Sequence, residues 1–273
     1  MRLWALVGLA ALGASTFAAG YDDFSRGLQE LNMGRADAAR ASFTKALESG
    51  DLASSYVPDA YLGRARARSQ TGDCAGALSD ANEAIKRSPN MLFAHQLRIR
   101  MDECLGDYVA EKADIDAALA ARRDPWTMVA RAMLKWRQLD YAGTSDDFVA
   151  AAKFEPPDAT FYAWSAAAQM HAGTYHAAEF AELVSGSHEA WAKTIFDLYL
   201  GKNTPDAVMR AVANDDAAAQ PLHKCQADFF IGEWQLWRKE PDAARASLRQ
   251  AVMDCKATYF LERASQLELS RLQ

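Results

Sequence analysis

Small and apolar side chains return along this chain at a spacing close to 34 residues. Each segment begins with a residue at an equivalent position: Gly34, Gly72, Gly106, Leu139 and Gly173. Successive members of this series are 38, 34, 33 and 34 residues apart. Within a segment, apolar and small residues recur at helical spacing rather than in the alternation of a strand. The pattern predicts pairs of helices that each bury one face against the next pair.

One segment, GDCAGALSDANEAIKRSPN from Gly72 to Asn90, contains the sharpest form of the pattern. A turn is followed by a helix with small residues at Ala77, Ala81 and Ala84, and Pro89 then stops the helix. This segment resembles the second half of a tetratricopeptide repeat, in which small residues let a neighbouring helix approach closely. The resemblance implies an all-α fold: a right-handed α-solenoid of tetratricopeptide helix-turn-helix repeats with a C-terminal capping helix.

The repeat pattern divides the chain into four parts. We assign residues 1–20 to a signal peptide and residues 21–185 to repeats one to five. Residues 186–220 break the period and are expected to form an irregular helical connector. Residues 221–273 hold a sixth, weaker repeat and a final amphipathic helix, which suits the cap that terminal repeats require.

The N-terminus has the features of a secretory signal. Arg2 precedes an apolar run from Leu3 to Leu12, and small residues follow up to Gly20, with plausible cleavage after Ala18 or Gly20. The alternative is a membrane anchor, but the run is shorter than the roughly 20 residues that span a bilayer. No cysteine lies near the cut, which excludes a lipoprotein anchor. We therefore expect a periplasmic protein without a stable membrane anchor.

The formal net charge of the chain is −6. Binding to nucleic acid or to anionic lipid requires a basic face, so an acidic protein of this kind is a poor candidate for either.

Four cysteines form two pairs, each separated by 30 residues: Cys74 with Cys104, and Cys225 with Cys255. In each pair, the predicted helices bring the two residues to the same end of neighbouring helices. An oxidising compartment favours disulfides there. A metal site or a redox pair is the alternative, and the lack of a CxxC spacing favours the structural disulfides.

The last third of the chain carries a more specific resemblance. Its three segments are WAKTIFDLYLGKNTPDAV (191–208), ADFFIGEWQLWRKEPDAARASLRQAV (227–252) and FLERASQLELSRL (260–272). They resemble the C-terminal half of NlpI-type bacterial tetratricopeptide proteins. That resemblance implies an all-helical, often dimeric, envelope adaptor that docks proteases or peptidoglycan hydrolases. The lipid-anchored cysteine of that family is absent here.

No set of residues in the sequence has the spacing of a catalytic or metal site. Ser42 and Lys45 match S-x-x-K, but the companion motifs of that enzyme class are missing. His171 and His176 are five apart, and no acidic or thiol residue has a matching spacing, whereas a metal site needs three or four convergent ligands. We expect no catalytic residue, no metal and no cofactor.

The remaining candidate is a concave surface lined by the first helices of the repeats. Arginines there would bind carboxylates through paired hydrogen bonds, and tryptophans and methionines would supply apolar anchors. The alternative is that the arginines pair with local acids and the tryptophans lie in the core. The predicted protein-binding residues are Arg66, Gln70, Phe93, Gln96, Arg100, Trp126, Met133, Trp136, Arg137 and Met170.

These observations favour a non-enzymatic, exported adaptor or scaffold. Its partner would be a protein or peptide, such as a cell-envelope protease or a peptidoglycan hydrolase, and not nucleic acid. Two alternatives stay open. One is a self-associating structural envelope protein, such as a homodimer, and the other is an enzyme with an unrecognised site.

Overall fold

The computed structural model describes residues 19–154, 158–256 and 258–272. In these ranges the chain is all-helical, with fifteen helices and no strand. The helices are α1 (Ala19–Asn32), α2 (Ala36–Glu48), α3 (Val57–Gln70), α4 (Cys74–Arg87), α5 (Leu92–Leu105), α6 (Tyr108–Ala121), α7 (Pro125–Arg137), α8 (Tyr141–Ala151), α9 (Thr160–Ala172), α10 (Ala177–Leu183), α11 (Ala190–Tyr199), α12 (Pro205–Ala213), α13 (Gln220–Trp237), α14 (Pro241–Asp254) and α15 (Tyr259–Arg271).

The chain forms two compact units, which divide between Asp114 and Ile115 within α6. In both units, helices that follow one another pack together, as in α1 with α2, α3 with α4, α7 with α8 and α13 with α14. The predicted all-α fold class is confirmed.

The core of the first unit depends on glycines that let helices approach one ring. Phe43 on α2 is fully buried, and a Cβ at Gly27 would lie only 2.9 Å from its ring. Gly63 on α3 meets the same ring, so any larger residue there would collide with it. Around this contact the core contains Phe24, Leu31 and fully buried alanines.

Turns between paired helices use the left-handed backbone region. Gly34, Gly72 and Gly106 have φ values of 70°, 80° and 73°. Leu139 occupies the aligned place in the next segment, and its φ is 63°. The turn geometry is therefore kept even where the residue is not glycine, although a side chain makes that conformation costly.

The second unit has a larger and more aromatic core. Trp136, Trp164 and Phe229 pack with neighbours from α8, α11 and α13, and Trp164 lies 4.4 Å from Phe229 between ring centroids. Helix α13 contacts α9, α11, α12, α14 and α15. The unit is therefore organised around this 18-residue helix.

The predicted signal peptide and the predicted connector can be compared with the structure. Residues 1–18, which hold most of the predicted signal peptide, lie outside the described residues. Ala19 and Gly20 belong to α1, and their backbone N–H groups donate to the carboxylate of Asp51. The stretch 186–220 contains α11 and α12.

Candidate functional site

The predicted groove residues of the first unit lie on α3 and α5, two helices in contact. Arg66 and Gln70 are exposed and one turn apart on α3. Phe93 is 70% exposed, which is high for a phenylalanine, and Gln96 and Arg100 follow it at helical spacing with half-buried side chains. These five residues form what we call the α3/α5 face.

Three predicted groove residues of the second unit do not lie on a surface. Met133, Trp136 and Met170 are buried in the hydrophobic core. Trp136 packs edge-on against Trp164 and donates its indole N–H to Glu268 Oε1 at 2.7 Å. None of these side chains is more than 8% exposed in the folded unit, so their assignment to an open groove is corrected.

The groove is not open at α7 because the terminal helix covers it. Helix α15 packs against α7, where the sequence analysis expected an open groove. Phe260 on α15 lies 5.5 Å from Trp126 between ring centroids, and Arg271 donates to the carbonyl oxygen of Trp136. The chain therefore covers this part of its own groove, and Trp126 and Arg137 are left half-buried.

An apolar cavity of about 660 Å³ opens beside the Trp126–Phe260 contact. Its walls come from several helices of the second unit and include Trp126, Phe161, Trp191, Leu222 and Phe260. Most of the cavity wall is apolar, which favours an apolar group as its occupant.

The polar groups in the wall of this cavity have partners within the protein. His223 stacks on Trp191 and bonds Asp215 through Nδ1, and that hydrogen bond lowers the pKa of Asp215. Glu189 accepts a hydrogen bond from the backbone N–H of Ala159. These groups hold the cavity wall in place.

Arginine–aspartate pairs connect paired helices, and the sequence analysis missed them. Arg64 binds Asp80, Arg98 binds Asp114, and Arg131 binds Asp147, each through two guanidinium nitrogens across 16 residues. The pairs recur with the repeat spacing, so the signal was present in the sequence. Their regularity and partial burial indicate a role in holding each helix pair together.

A second cation reinforces two of these pairs. Arg68 Nη1 lies 3.0 Å from Asp80, and Lys135 Nζ lies 2.8 Å from Asp147. In the intervening repeat, the position equivalent to Arg68 and Lys135 is occupied by Asp102, which is buried beside Asp114. Burial, followed by the charge of Asp114, raises the pKa of Asp102 to about 7.

The structure pairs the four cysteines as predicted. Cys74 and Cys104 have Cα atoms 6.2 Å apart, and Cys225 and Cys255 have Cα atoms 4.9 Å apart. Each bridge lies within one unit. In the chain-entropy description a loop of this length adds about 3–4 kcal/mol of stability.

A cluster of one half-buried histidine and two buried glutamates was not evident from the sequence. His171 at the end of α9 hydrogen-bonds Glu233 on α13, and Glu268 on α15 completes a group whose ligand atoms all lie within 4.8 Å. The three residues are far apart in sequence, so spacing alone could not reveal them.

Comparison with solved structures shows a tetratricopeptide repeat fold. A tetratricopeptide repeat protein from Parabacteroides merdae superposes with a TM-score of 0.59 at 14% sequence identity, covering 91% of this chain and 98% of that one. A thermophilic tetratricopeptide repeat protein of Thermus thermophilus gives a TM-score of 0.34 at 16% identity, covering 92% and 100%. No family model and no curated protein sequence matches the chain.

The helices are all too short or too polar to cross a bilayer within the part of the chain that the structure describes.

Proposed function

We propose that this protein is a non-enzymatic adaptor that binds a helical segment of a partner protein on its α3/α5 face. Tetratricopeptide repeat folds serve in general as scaffolds for protein–protein interaction. The observation that carries the proposal is the exposure of Phe93 on a first helix whose equivalent in the second unit is covered by a helix of the chain itself.

The equivalence follows from the repeat. Phe93 and Trp126 are 33 residues apart, as are Arg98 and Arg131, which make the same ion pair in their repeats. Trp126 packs against Phe260 of α15, whereas Phe93 is 70% exposed. Helix α15 is therefore a template for the kind of segment that would cover Phe93.

The chemistry of the face specifies the partner segment. Phe93 offers an apolar anchor on α5, and Arg66 is an exposed cation on α3, the helix in contact with α5. An amphipathic helix with one aromatic side chain and nearby carboxylates would satisfy both, since an aromatic anchor supplies affinity and arginine binds carboxylates through paired hydrogen bonds. Helix α15 has this character, with Phe260, Glu262 and Glu268.

The proposal also specifies where the protein is located and which class of protein it binds. The signal features of residues 1–20 and two disulfides favour export to an oxidising compartment such as the periplasm. The resemblance of residues 191–272 to NlpI-type proteins favours an envelope protease or a peptidoglycan hydrolase as the partner. The same resemblance supports a homodimer.

A selection from a library of displayed helical peptides tests the face directly. The full chain, oxidised, is the bait, and binding of selected peptides is then measured by fluorescence anisotropy. We expect selected sequences to carry an aromatic residue and acidic residues. Phe93→Ala and Arg66→Ala should each weaken binding about tenfold or more, as anchor residues do.

Matched controls separate the face from the rest of the surface. Val109→Ala removes an apolar side chain that is 82% exposed on α6, and Arg26→Ala removes an exposed arginine on α1. Both should bind like the wild type. Peptides that bind all four variants equally would refute the α3/α5 face as the binding site.

The partner class needs its own experiment. Wild type and the Phe93→Ala variant are immobilised and exposed to envelope extract, and retained proteins are identified by mass spectrometry. A protease or cell-wall hydrolase retained only by the wild type would support the proposed class of partner. A chain that instead forms a stable dimer in light scattering, with no peptide selected, would favour the structural role.

A further inference from the structure

We propose that His171, Glu233 and Glu268 form a binding site for a divalent transition-metal ion of the zinc type. The ligands would be the Nε2 atom of His171 and one carboxylate oxygen from each glutamate. The three residues come from α9, α13 and α15, so an ion bound there would join the terminal helix to the centre of the second unit.

Glu233 has an oxygen atom that nothing in the described structure satisfies. Its side chain is 2% exposed, and Oε2 lies 2.7 Å from His171 Nε2. Oε1 is buried and has no hydrogen-bond partner among the described residues. A buried carboxylate oxygen without a partner is costly, and such atoms are rare in folded proteins. A cation beside it would remove that cost.

Glu268 is held as a metal ligand would be held. Its Oε1 accepts hydrogen bonds from Trp136 Nε1 at 2.7 Å and from Arg271 Nη1 at 2.5 Å. Its Oε2 lies on the side of His171, 3.9 Å from Nε2. Outer hydrogen bonds of this kind fix the orientation of a ligand and leave one oxygen for the ion.

His171 is also oriented by its neighbours. Its ring stacks on Tyr141 at 4.9 Å between centroids and meets Trp136 edge-on at 5.1 Å. These contacts direct Nε2 towards the two carboxylates.

The donor set and spacing fit zinc better than calcium or magnesium. One imidazole nitrogen with two carboxylate oxygens suits a first-row transition-metal ion such as zinc, whereas calcium and magnesium take oxygen ligands only. Ligands of a tetrahedral zinc ion lie about 3.3 Å apart. The distances from His171 Nε2 to the two glutamates, 2.7 and 3.9 Å, bracket this value.

An adjoining cavity supplies access and a place for further ligands. It has a volume of about 370 Å³, and its wall includes His171, Glu233, Gly173 and Trp237. Water entering from this side would complete the coordination of an ion held by three protein ligands.

Protons compete with the ion for the same position. Burial raises the pKa of Glu233 to about 7, and the two glutamates raise the pKa of His171 even though burial opposes this. Because an imidazole nitrogen or a carboxylate must be deprotonated to bind a metal ion, acid would weaken binding.

The experiment measures zinc binding by the full chain, oxidised, free of tags and stripped with EDTA. Zinc is titrated in competition with a chromophoric chelator. We expect one zinc ion per chain with a dissociation constant below about 1 µM. Glu233→Gln and His171→Gln should each weaken binding more than the roughly 10–100-fold that loss of an outer partner costs.

Two control variants remove similar groups nearby. His176→Gln removes an exposed histidine five residues from His171, and Glu262→Gln removes a carboxylate from α15. Both should bind zinc within twofold of the wild type. Circular dichroism checks that each variant is folded, and zinc should raise the melting temperature of the wild type but not of Glu233→Gln.

X-ray absorption at the zinc edge gives an independent result. The proposal requires nitrogen and oxygen ligands without sulfur, because all four cysteines are in disulfides. Three outcomes would overturn it: no stoichiometric zinc, sulfur in the coordination shell, or an equal loss of affinity in His176→Gln and Glu233→Gln.

Discussion

Trp136 on α7 donates its indole N–H to Oε1 of Glu268 on α15 at 2.7 Å, although 132 residues separate them in the chain. Both side chains are almost completely buried. Arg271 donates to the same carboxylate and to the carbonyl oxygen of Trp136. The terminal helix therefore inserts a carboxylate into the aromatic core of the second unit, where two donors satisfy one of its oxygens.

Loss of the indole donor should destabilise the protein. Trp136→Phe removes the N–H and part of a fully buried ring, so we expect the free energy of unfolding to fall by at least about 1.5–3 kcal/mol, the range for a hydrogen bond to a charged group, with the lost packing adding to it. Urea unfolding in the presence of EDTA measures this change. Trp237→Phe, at a side chain that is 43% exposed, is the control and should change the free energy by less than about 0.5 kcal/mol. Equal effects in the two variants would contradict the role of the hydrogen bond.

The turn at Leu139 should be improved by glycine. Leu139 has a φ of 63° and is 61% exposed, so its side chain makes few contacts that offset the strain. We expect Leu139→Gly to stabilise the protein by about 0.5–1 kcal/mol, measured by urea unfolding.

Leu105→Gly is the matched control for this turn. Leu105 is also exposed, but it is the last residue of α5 and has a helical backbone. The same substitution there should destabilise the protein by up to about 1 kcal/mol, because glycine is a poor helix former. If both variants lost stability, strain at Leu139 would be disproved.

Asp102 should make stability fall as the pH rises. Burial and the charge of Asp114, with a smaller effect of Asp107, raise its pKa to about 7, against the opposing effect of Arg98. The folded state then holds a proton that the unfolded state loses above its ordinary pKa of 3.8. This contribution to stability is complete below pH 4 and is lost progressively as the pH rises through 7.

Asp102→Asn should remove this dependence. We expect the variant to exceed the wild type in free energy of unfolding by about 1 kcal/mol or more at pH 8, and the difference to shrink towards pH 4.5. Urea unfolding at pH 4.5, 6 and 8 measures the difference. Asp59→Asn, at an exposed position on α3, should change the free energy of unfolding by the same small amount at every pH. A constant offset for Asp102→Asn as well would show that the carboxyl group does not titrate as expected.

Each disulfide should stabilise its own unit. Replacing Cys225 and Cys255 by alanine opens a loop between residues 30 apart, and we expect a loss of about 3–4 kcal/mol. The melting temperature of the oxidised protein should fall accordingly. In the double variant a reducing agent should still lower the melting temperature through Cys74–Cys104. A reducing agent without effect on the wild type would indicate that neither bridge contributes.

Features that depend on spacing along the chain were predictable from the sequence. The period near 34 predicts helix pairs, because each repeat must bury the same face against its neighbours. The cysteine pairs follow from the same geometry, since each pair lies at adjoining helix ends. The arginine–aspartate pairs obey the period too, and a search for charged residues 16 apart would have found them.

The sequence by itself determined the helical repeat fold and the cysteine pairing, because these depend on contacts within a repeat or between neighbouring repeats. Only the tertiary structure decided which predicted groove residues stay accessible. Helix α15 packs on α7 and covers Trp136, while Phe93 stays exposed. The same packing brings His171, Glu233 and Glu268 together. Contacts between residues so far apart depend on how the last helix packs, and no periodic spacing encodes that.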